Sequence, residues 1–125
     1  DFGPNDSDKG FFNKYETKKT FENFWGNMYA GTPEASGVYS SFQWNDIDFI
    51  LCDNRTHRTN NNLGKEPNCT LLGKEQLQWL KDKLLASKAP FKIVAMGGQF
   101  ISTFAKYENY VNACPAERDS LIAFI

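Results

Sequence analysis

The chain has 125 residues and a mass of 14.3 kDa, which suits one domain with a hydrophobic core and is too short for two. Hydrophobic residues make up 41% of the chain and aromatic residues 15%, so burial can offset the entropy lost on folding, which favours a globular over a disordered chain. The net charge of −1 provides no electrostatic footprint for nucleic acid or an anionic membrane. No apolar run approaches the about 20 residues that a transmembrane helix needs.

The two ends of the chain suggest a piece of a longer protein. The sequence begins at Asp1 rather than at Met, and residues 121–125 at the other end are apolar. Natural termini are usually polar and frayed. We therefore expect residues 1–125 to be an internal segment of one larger domain.

The first third of the chain is expected to contain one helix between loops. Residues 1–12 are rich in turn formers, which is typical of irregular structure. From about residue 15 to residue 29, apolar side chains recur at i, i+3, i+4 and i+7, which indicates an amphipathic helix that Gly31 and Pro33 end. Its apolar side chains are expected to pack in the core or as a lid: Phe21, Phe24, Trp25 and Met28.

Two strands joined by a tight turn are predicted next. Residues 38–44 alternate with a period of two, which is typical of a strand. Asn45 and Asp46 suit a two-residue turn. Residues 47–52 then form a second strand that is apolar on both faces near its end, as expected for an interior strand covered by helices.

The second half of the chain predicts a β-α-β unit. A helix over residues 74–86 is followed by Pro90 and by a second buried strand over residues 91–96. The two strands should be parallel, because the helix carries the chain back between them. A last helix begins at Pro115, where a missing N–H costs nothing. The polar loop over residues 54–68 is long, and loops of this length are usually functional or mobile.

Polar residues and glycines follow both strands of this unit. In open α/β sheets ligands bind at the carboxyl ends of the strands. A guanidinium, amide groups and a glycine turn at that edge suit an oxyanion or phosphate ligand. The residues delivered there are Asp53, Asn54, Arg55 and His57 after the first strand, and Gly97, Gly98 and Gln99 after the second.

Each of these features also has a purely structural alternative. Asp53 and Arg55 could form only an ion pair or a turn that orders the loop, and the glycine pair at 97–98 is more often a tight turn than an anion cradle. His57 is favoured as a solvated surface histidine. Residues 1–8 contain three carboxylates and an amide, which suit a hard cation but are also common in plain turns.

The three cysteines do not form a metal or thioredoxin-type motif. No C-x-x-C spacing occurs. Cys52 lies in an apolar strand and is expected to be a small buried hydrophobic residue. Cys69 and Cys114 lie in loop-like sequence and could pair if the protein is exported.

Four stretches carry motifs that resemble those of a known family. Residues 37–55 contain Tyr-x-x-Phe, Asp-x-x-Phe and Asp-x-Arg in that order, and residues 72–80 read Leu-Gly-x-Glu-Gln-x-x-Trp-Leu. Residues 87–99 fit the strand and turn that follow, and residues 1–6 resemble the tail of a metal-binding motif. The combination resembles the alkaline phosphatase D (PhoD-like) metallophosphatases, and the segment at 72–80 is its most specific part. Residues 10–36 match poorly and are expected to be a lid or a variable insertion, and residues 54–70 also match poorly.

The resemblance implies an α/β fold that is part of a calcineurin-like sandwich, with a β-hairpin leading into the β-α-β unit. It also implies hydrolysis of phosphate monoesters or diesters at a two-metal site. The metals would be divalent or trivalent ions such as Fe, Zn or Ca, held mostly by motifs outside this segment, so the isolated segment is expected to be inactive. Export to the periplasm or outside the cell follows from the resemblance alone.

The resemblance also assigns roles to three residues. Asp1 would orient a histidine that binds metal. Asn5 would approach the phosphate of the ester substrate or a metal ion. Arg55 would contact the substrate, or would instead only pair with Asp53 in the loop. The oligomeric state is left open.

A non-enzymatic module that binds glycans or a protein partner is the alternative function. Such a module needs an exposed, planar set of aromatic side chains. Trp25, Trp44 and Trp79 could contribute to such a set. Helical and alternate-strand spacing instead predicts that most of the aromatic residues face the core.

Overall fold

The computed structural model describes residues 2–26, 30–33, 36–61, 66–104 and 109–125. In chain order the elements are helix α1 (Lys14–Trp25), strands β1 (Ser40–Trp44) and β2 (Ile47–Leu51), helix α2 (Lys74–Ala86), strand β3 (Phe91–Ala95) and helices α3 (Tyr110–Ala113) and α4 (Pro115–Phe124). The strands form one sheet in the order β1-β2-β3. None of the helices in these ranges is long and apolar enough to cross a lipid bilayer.

The predicted hairpin and β-α-β unit are both confirmed. β1 pairs with β2 in an antiparallel register from Ser40 opposite Leu51 to Trp44 opposite Ile47. Asn45 in the connecting turn has φ 53°, a left-handed conformation that Asn tolerates because its side chain is short and polar. β2 and β3 are parallel, and α2 has the bounds predicted from its apolar period. The α/β fold class is thus confirmed.

The core lies on one face of this sheet. Ile50 of β2 is buried in a cluster that also contains Leu80 of α2, and Val94 of β3 packs against it. Segments outside the β-α-β unit complete the cluster: Leu71, Leu72, Tyr110, Cys114 and Leu121. Helix α2 and the last two helices therefore share a single core with the central strand.

Within the described residues the opposite face of the sheet is open, which contradicts the prediction that β2 and β3 are both buried strands. Phe42 stacks on Phe49 across β1 and β2 with ring centroids 5.0 Å apart, and Ile93 pairs with Phe49 in the next strand. Phe42, Ile93 and their neighbours Trp44 and Phe91 are exposed. The strands are apolar as predicted, but within the described residues only one face of the sheet has a covering layer.

Helix α1 lies outside the core and is shorter than predicted. It ends at Trp25 because Gly26 adopts a left-handed conformation, with φ 65°, and its N–H donates to the Glu22 carbonyl at 2.9 Å. No residue of α1 is buried, so the core alternative for its apolar face is wrong. The predicted continuation to residue 29, including Met28, falls on residues 27–29, outside the described ranges.

A disulfide joins Cys69, shortly before α2, to Cys114, between α3 and α4, with the Cα atoms 5.5 Å apart. The pairing that the sequence left open is therefore present in the structure. Cys52 is free and half-buried, and burial raises the pKa of its thiol to about 12, so it behaves as the small hydrophobic residue that was predicted.

Candidate functional site

Asp53 organises the loop that leaves the carboxyl end of β2. Its side chain is buried, and its carboxylate accepts hydrogen bonds from the backbone N–H groups of Val38 at 3.0 Å, Arg55 at 2.9 Å and Thr56 at 3.1 Å, and from the Thr56 hydroxyl. The turn alternative for Asp53 is therefore what the structure shows. The side chain of Arg55 in this turn donates from Nη1 to the Ser7 carbonyl at 3.3 Å.

Gln76 of α2 connects the helix to the backbone of Asp53 by hydrogen bonds. The side chain is fully buried, its Oε1 accepts from the Asp53 N–H at 2.7 Å, and its Nε2 donates to the Asp53 carbonyl at 2.7 Å and the Leu72 carbonyl at 3.0 Å. The amide thus satisfies both backbone groups of Asp53 where the strand ends. Sequence reasoning missed this role, although a Gln one turn before Leu80 on a buried helix face was a usable signal.

The first residues of the chain pack against this loop. Lys9 N–H donates to the Arg58 carbonyl at 2.9 Å, and Asn60 Nδ2 donates to the Asp8 carboxylate at 2.7 Å. The described part of the predicted long loop, residues 54–61, is therefore held against residues 2–9. These contacts bring together segments that are about fifty positions apart in the sequence.

A polar cavity lies between these two segments. It has a volume of about 340 Å³ and is lined by residues 2–7 and Arg55. Both predicted substrate-contacting residues, Asn5 and Arg55, line it. Asn5 Nδ2 donates to the Asp6 carboxylate at 3.1 Å. The third predicted site residue, Asp1, lies outside the described residues.

A second, mainly apolar cavity of about 630 Å³ lies beside the first. Its floor includes Asp53, Asn54 and Arg55 after β2 and Gly97 after β3, so the carboxyl ends of the parallel strands do deliver these residues to one place. Its remaining lining comes mostly from helix α1 and from Phe2, Val38, Cys52 and Thr56. His57, Gly98 and Gln99, which were predicted at the same edge, do not line this cavity.

Gly97 and His57 have packing roles. A Cβ atom added to Gly97 would lie 2.9 Å from Asn54 Oδ1, so the Asn54 side chain packs closely against the Gly97 backbone. His57 is half-buried, with Nε2 within hydrogen-bond distance of the Ser36 carbonyl, and it packs against Gly73, whose Cβ would meet the His57 Cβ at 2.8 Å. The prediction of a solvated surface histidine is therefore wrong, because the start of α2 covers the ring.

The described residues do not form a metal site by themselves. They contain no group of three or more His, Cys, Asp and Glu side chains placed to bind one ion. The Asp8 carboxylate accepts from the Gly10 N–H at 2.6 Å as well as from Asn60, and the Gly10 bond is the main reason that the pKa of Asp8 lies below its ordinary value. Asp6 accepts from Asn61 Nδ2 at 3.2 Å. Within the described part of residues 1–8, these contacts are those of ordered turns.

The comparisons with known proteins agree with the motifs. A family model described as "PhoD-like phosphatase" matches residues 18–125. A solved structure described as "Structure of PhoD" superposes with a TM-score of 0.61 and 25% sequence identity over 75% of this chain, and the chain spans 22% of that protein's length. A search of curated proteins finds no match. The family match begins at residue 18, so the likeness of residues 1–6 to a metal-binding motif stays a prediction. The match covers all the strands and helices α2 to α4. The chain therefore belongs to the PhoD-like phosphatase family.

Proposed function

We propose that this chain forms the phosphate-contacting wall of a metal-dependent phosphoesterase with a calcineurin-like fold. The observation that carries the proposal is the position of Arg55, which lines the polar cavity and also the apolar cavity at the carboxyl ends of β2 and β3. A guanidinium at this edge can donate two parallel hydrogen bonds to phosphoryl oxygens. The family match supports hydrolysis as the reaction.

Asp53 and Gln76 would act by positioning Arg55. The backbone of Arg55 is held by the Asp53 carboxylate, and the backbone of Asp53 is held by the Gln76 amide. The backbone from which the Arg55 side chain extends is therefore held in place. Asn5, across the polar cavity, would donate its amide to the same phosphate group.

Two metal ions would polarise the phosphoryl group and activate the attacking water in such an enzyme. The described residues do not supply the ligands, so we propose that the ions are held by parts of the protein beyond this segment. We also propose that the uncovered aromatic face of the sheet packs there against further chain. Residues 1–125 alone should then show no turnover of p-nitrophenyl phosphate with metals added, and measurable turnover would refute this part of the proposal.

Export to the periplasm or the cell exterior remains a proposal. The Cys69–Cys114 disulfide supports it, since such bonds persist mainly in oxidising compartments. Detection of free Cys69 and Cys114 thiols in protein isolated from its native cells under alkylating conditions would contradict it.

The non-enzymatic alternative is less well supported. Trp79 packs against Tyr39 with ring centroids 4.8 Å apart and lies against the core, as predicted. The prediction that most aromatic residues face the core is wrong for the described part of the chain, because Phe21 and Phe49 lie outside the core cluster and many others are exposed. The exposed ones are Phe12, Tyr15, Phe24, Trp25, Phe42, Trp44, Phe91 and Phe104. The family match nevertheless favours a phosphatase over a binding module.

Removing the Arg55 guanidinium tests the proposed function. In the full-length protein Arg55→Ala should lower kcat/KM for a phosphate ester by about 100-fold, which is in the range for loss of a charged transition-state contact. Arg55→Lys should recover only part of the lost kcat/KM, because Lys cannot donate two parallel hydrogen bonds. Lys88→Ala is the matched control, because Lys88 is exposed in the connection between α2 and β3, at the opposite edge of the sheet. Unchanged kcat/KM in Arg55→Ala with lower stability would show that Arg55 serves only the loop.

A further inference from the structure

The polar and the apolar cavity share two of their lining residues, Phe2 and Arg55. A group bound to the Arg55 guanidinium therefore has the polar space on one side and the apolar space on the other. A phosphate ester has the same division, with a charged phosphoryl group joined to an alcohol through one oxygen. The two cavities match the two parts of one molecule.

The apolar cavity is walled by an aromatic cluster on helix α1. Phe21, Phe24 and Trp25 line it, with ring centroids 6.2 Å apart for Phe21 and Trp25 and 5.2 Å for Phe24 and Trp25. Val38 and Cys52 also line the cavity. Phe24 is 76% exposed and Trp25 is 63% exposed, so these rings have contact area available for a ligand.

The cation that can meet an anionic group at this cavity is Arg55. Lys18 and Arg55 both line it, and Lys18 is paired with Glu22 of the same helix. Asp53 is the one carboxylate in the lining, and its oxygens accept hydrogen bonds from Val38, Arg55 and Thr56, as described above. A ligand with an apolar body and an anionic end therefore fits the cavity.

We propose that this cavity binds the alcohol part of the substrate, and that the enzyme prefers phosphate esters of bulky, flat apolar alcohols such as aryl esters. The inference rests on the proposed function and adds the substrate class. The volume of about 630 Å³ lies within the range of ordinary small-molecule sites. Stacking on Phe24 and Trp25 supplies the preference, while Arg55 holds the phosphate at the junction of the two cavities.

The test compares two esters in the full-length protein. For 1-naphthyl phosphate, Phe24→Ala and Trp25→Ala should each raise KM about 10-fold with little change in kcat, and a 10-fold change corresponds to about 1.4 kcal/mol. For glycerol 3-phosphate, kcat/KM of both variants should stay within about 2-fold of the wild-type value. Trp25→Leu should recover part of the lost affinity. Tyr15→Ala is the control, because Tyr15 is an exposed aromatic residue of the same helix that does not line the cavity.

Equal effects of the variants on both esters, or no effect on either, would overturn the inference. Calorimetric titration separates this failure from failure of the proposed function. If the wild-type protein hydrolyses neither ester, the proposed function fails. The apolar site is still supported in that case if 1-naphthyl phosphate binds more tightly than inorganic phosphate and if Trp25→Ala weakens its binding. Equal binding of the two probes overturns it.

Discussion

Replacing Gln76 by Leu is the sharpest test of how the candidate site is held in place. The side-chain amide is buried and makes two hydrogen bonds of 2.7 Å to the backbone of Asp53. Leu is similar in size and cannot replace either bond. The N–H and the carbonyl of Asp53, where β2 ends, would therefore lose these partners.

The expected loss of stability follows from these contacts. Leaving a buried polar group without a partner costs about 1–3 kcal/mol, so two groups cost about 2–6 kcal/mol. Burying the additional apolar surface of Leu returns about 1 kcal/mol. We expect Gln76→Leu to lower the free energy of unfolding by about 3 kcal/mol, a large part of the about 5–15 kcal/mol that is typical of proteins.

Urea unfolding of the full-length protein measures this loss, and amide hydrogen exchange at Asp53 locates it. Gln78→Leu is the matched control, because Gln78 lies on the exposed side of the same helix and bonds only to Asp82 among the contacts described. It should change the free energy of unfolding by no more than about 0.5 kcal/mol. Because the Asp53 turn also carries Arg55, Gln76→Leu should lower kcat/KM under conditions where the protein remains folded. Equal stabilities of the two variants would refute the reasoning.

Two further predictions concern the cysteines. The Cys69–Cys114 disulfide closes a sequence separation of 45 residues, so a Cys69→Ala, Cys114→Ala double variant should lower the free energy of unfolding by about 4 kcal/mol on the chain-entropy relation. Dithiothreitol should destabilise the wild-type protein by a similar amount and leave the double variant unchanged; a wild type that does not respond would contradict this. Cys52 has a pKa raised by burial to about 12 from an ordinary 9.0, so its thiol stays neutral in the folded protein over a range in which it ionises in the unfolded chain. The contribution of Cys52 to stability is therefore complete below pH 9 and is lost as the pH rises toward 12. Urea unfolding should show a smaller alkaline loss of stability for Cys52→Ala than for the wild type, and equal losses would count against a buried neutral thiol.

The elements that the sequence predicted well are those with a strong local cause. Helix α2 has the predicted bounds because its apolar residues recur at helical spacing up to a stop before Pro90. The hairpin follows from a period of two on both sides of Asn45 and Asp46. Helix α1 was predicted too long, because the apolar period continued to Met28 while Gly26 had already ended the helix.

The sequence by itself determined the α/β class, the parallel pairing of β2 with β3, the family, and the delivery of Asp53, Asn54, Arg55 and Gly97 to one edge of the sheet. Periodicity and connection length set the class, the strand pairing and the shared edge, and short motifs carried the resemblance to the family. All of these are properties of neighbouring residues. The tertiary structure alone decided which face of the sheet is covered, that the Gln76 amide binds the end of β2, and that Asn5 and Arg55 line one cavity. These outcomes depend on contacts between residues that are about 20 to 70 positions apart, and no local pattern in the chain encodes which distant polar group will satisfy a buried one.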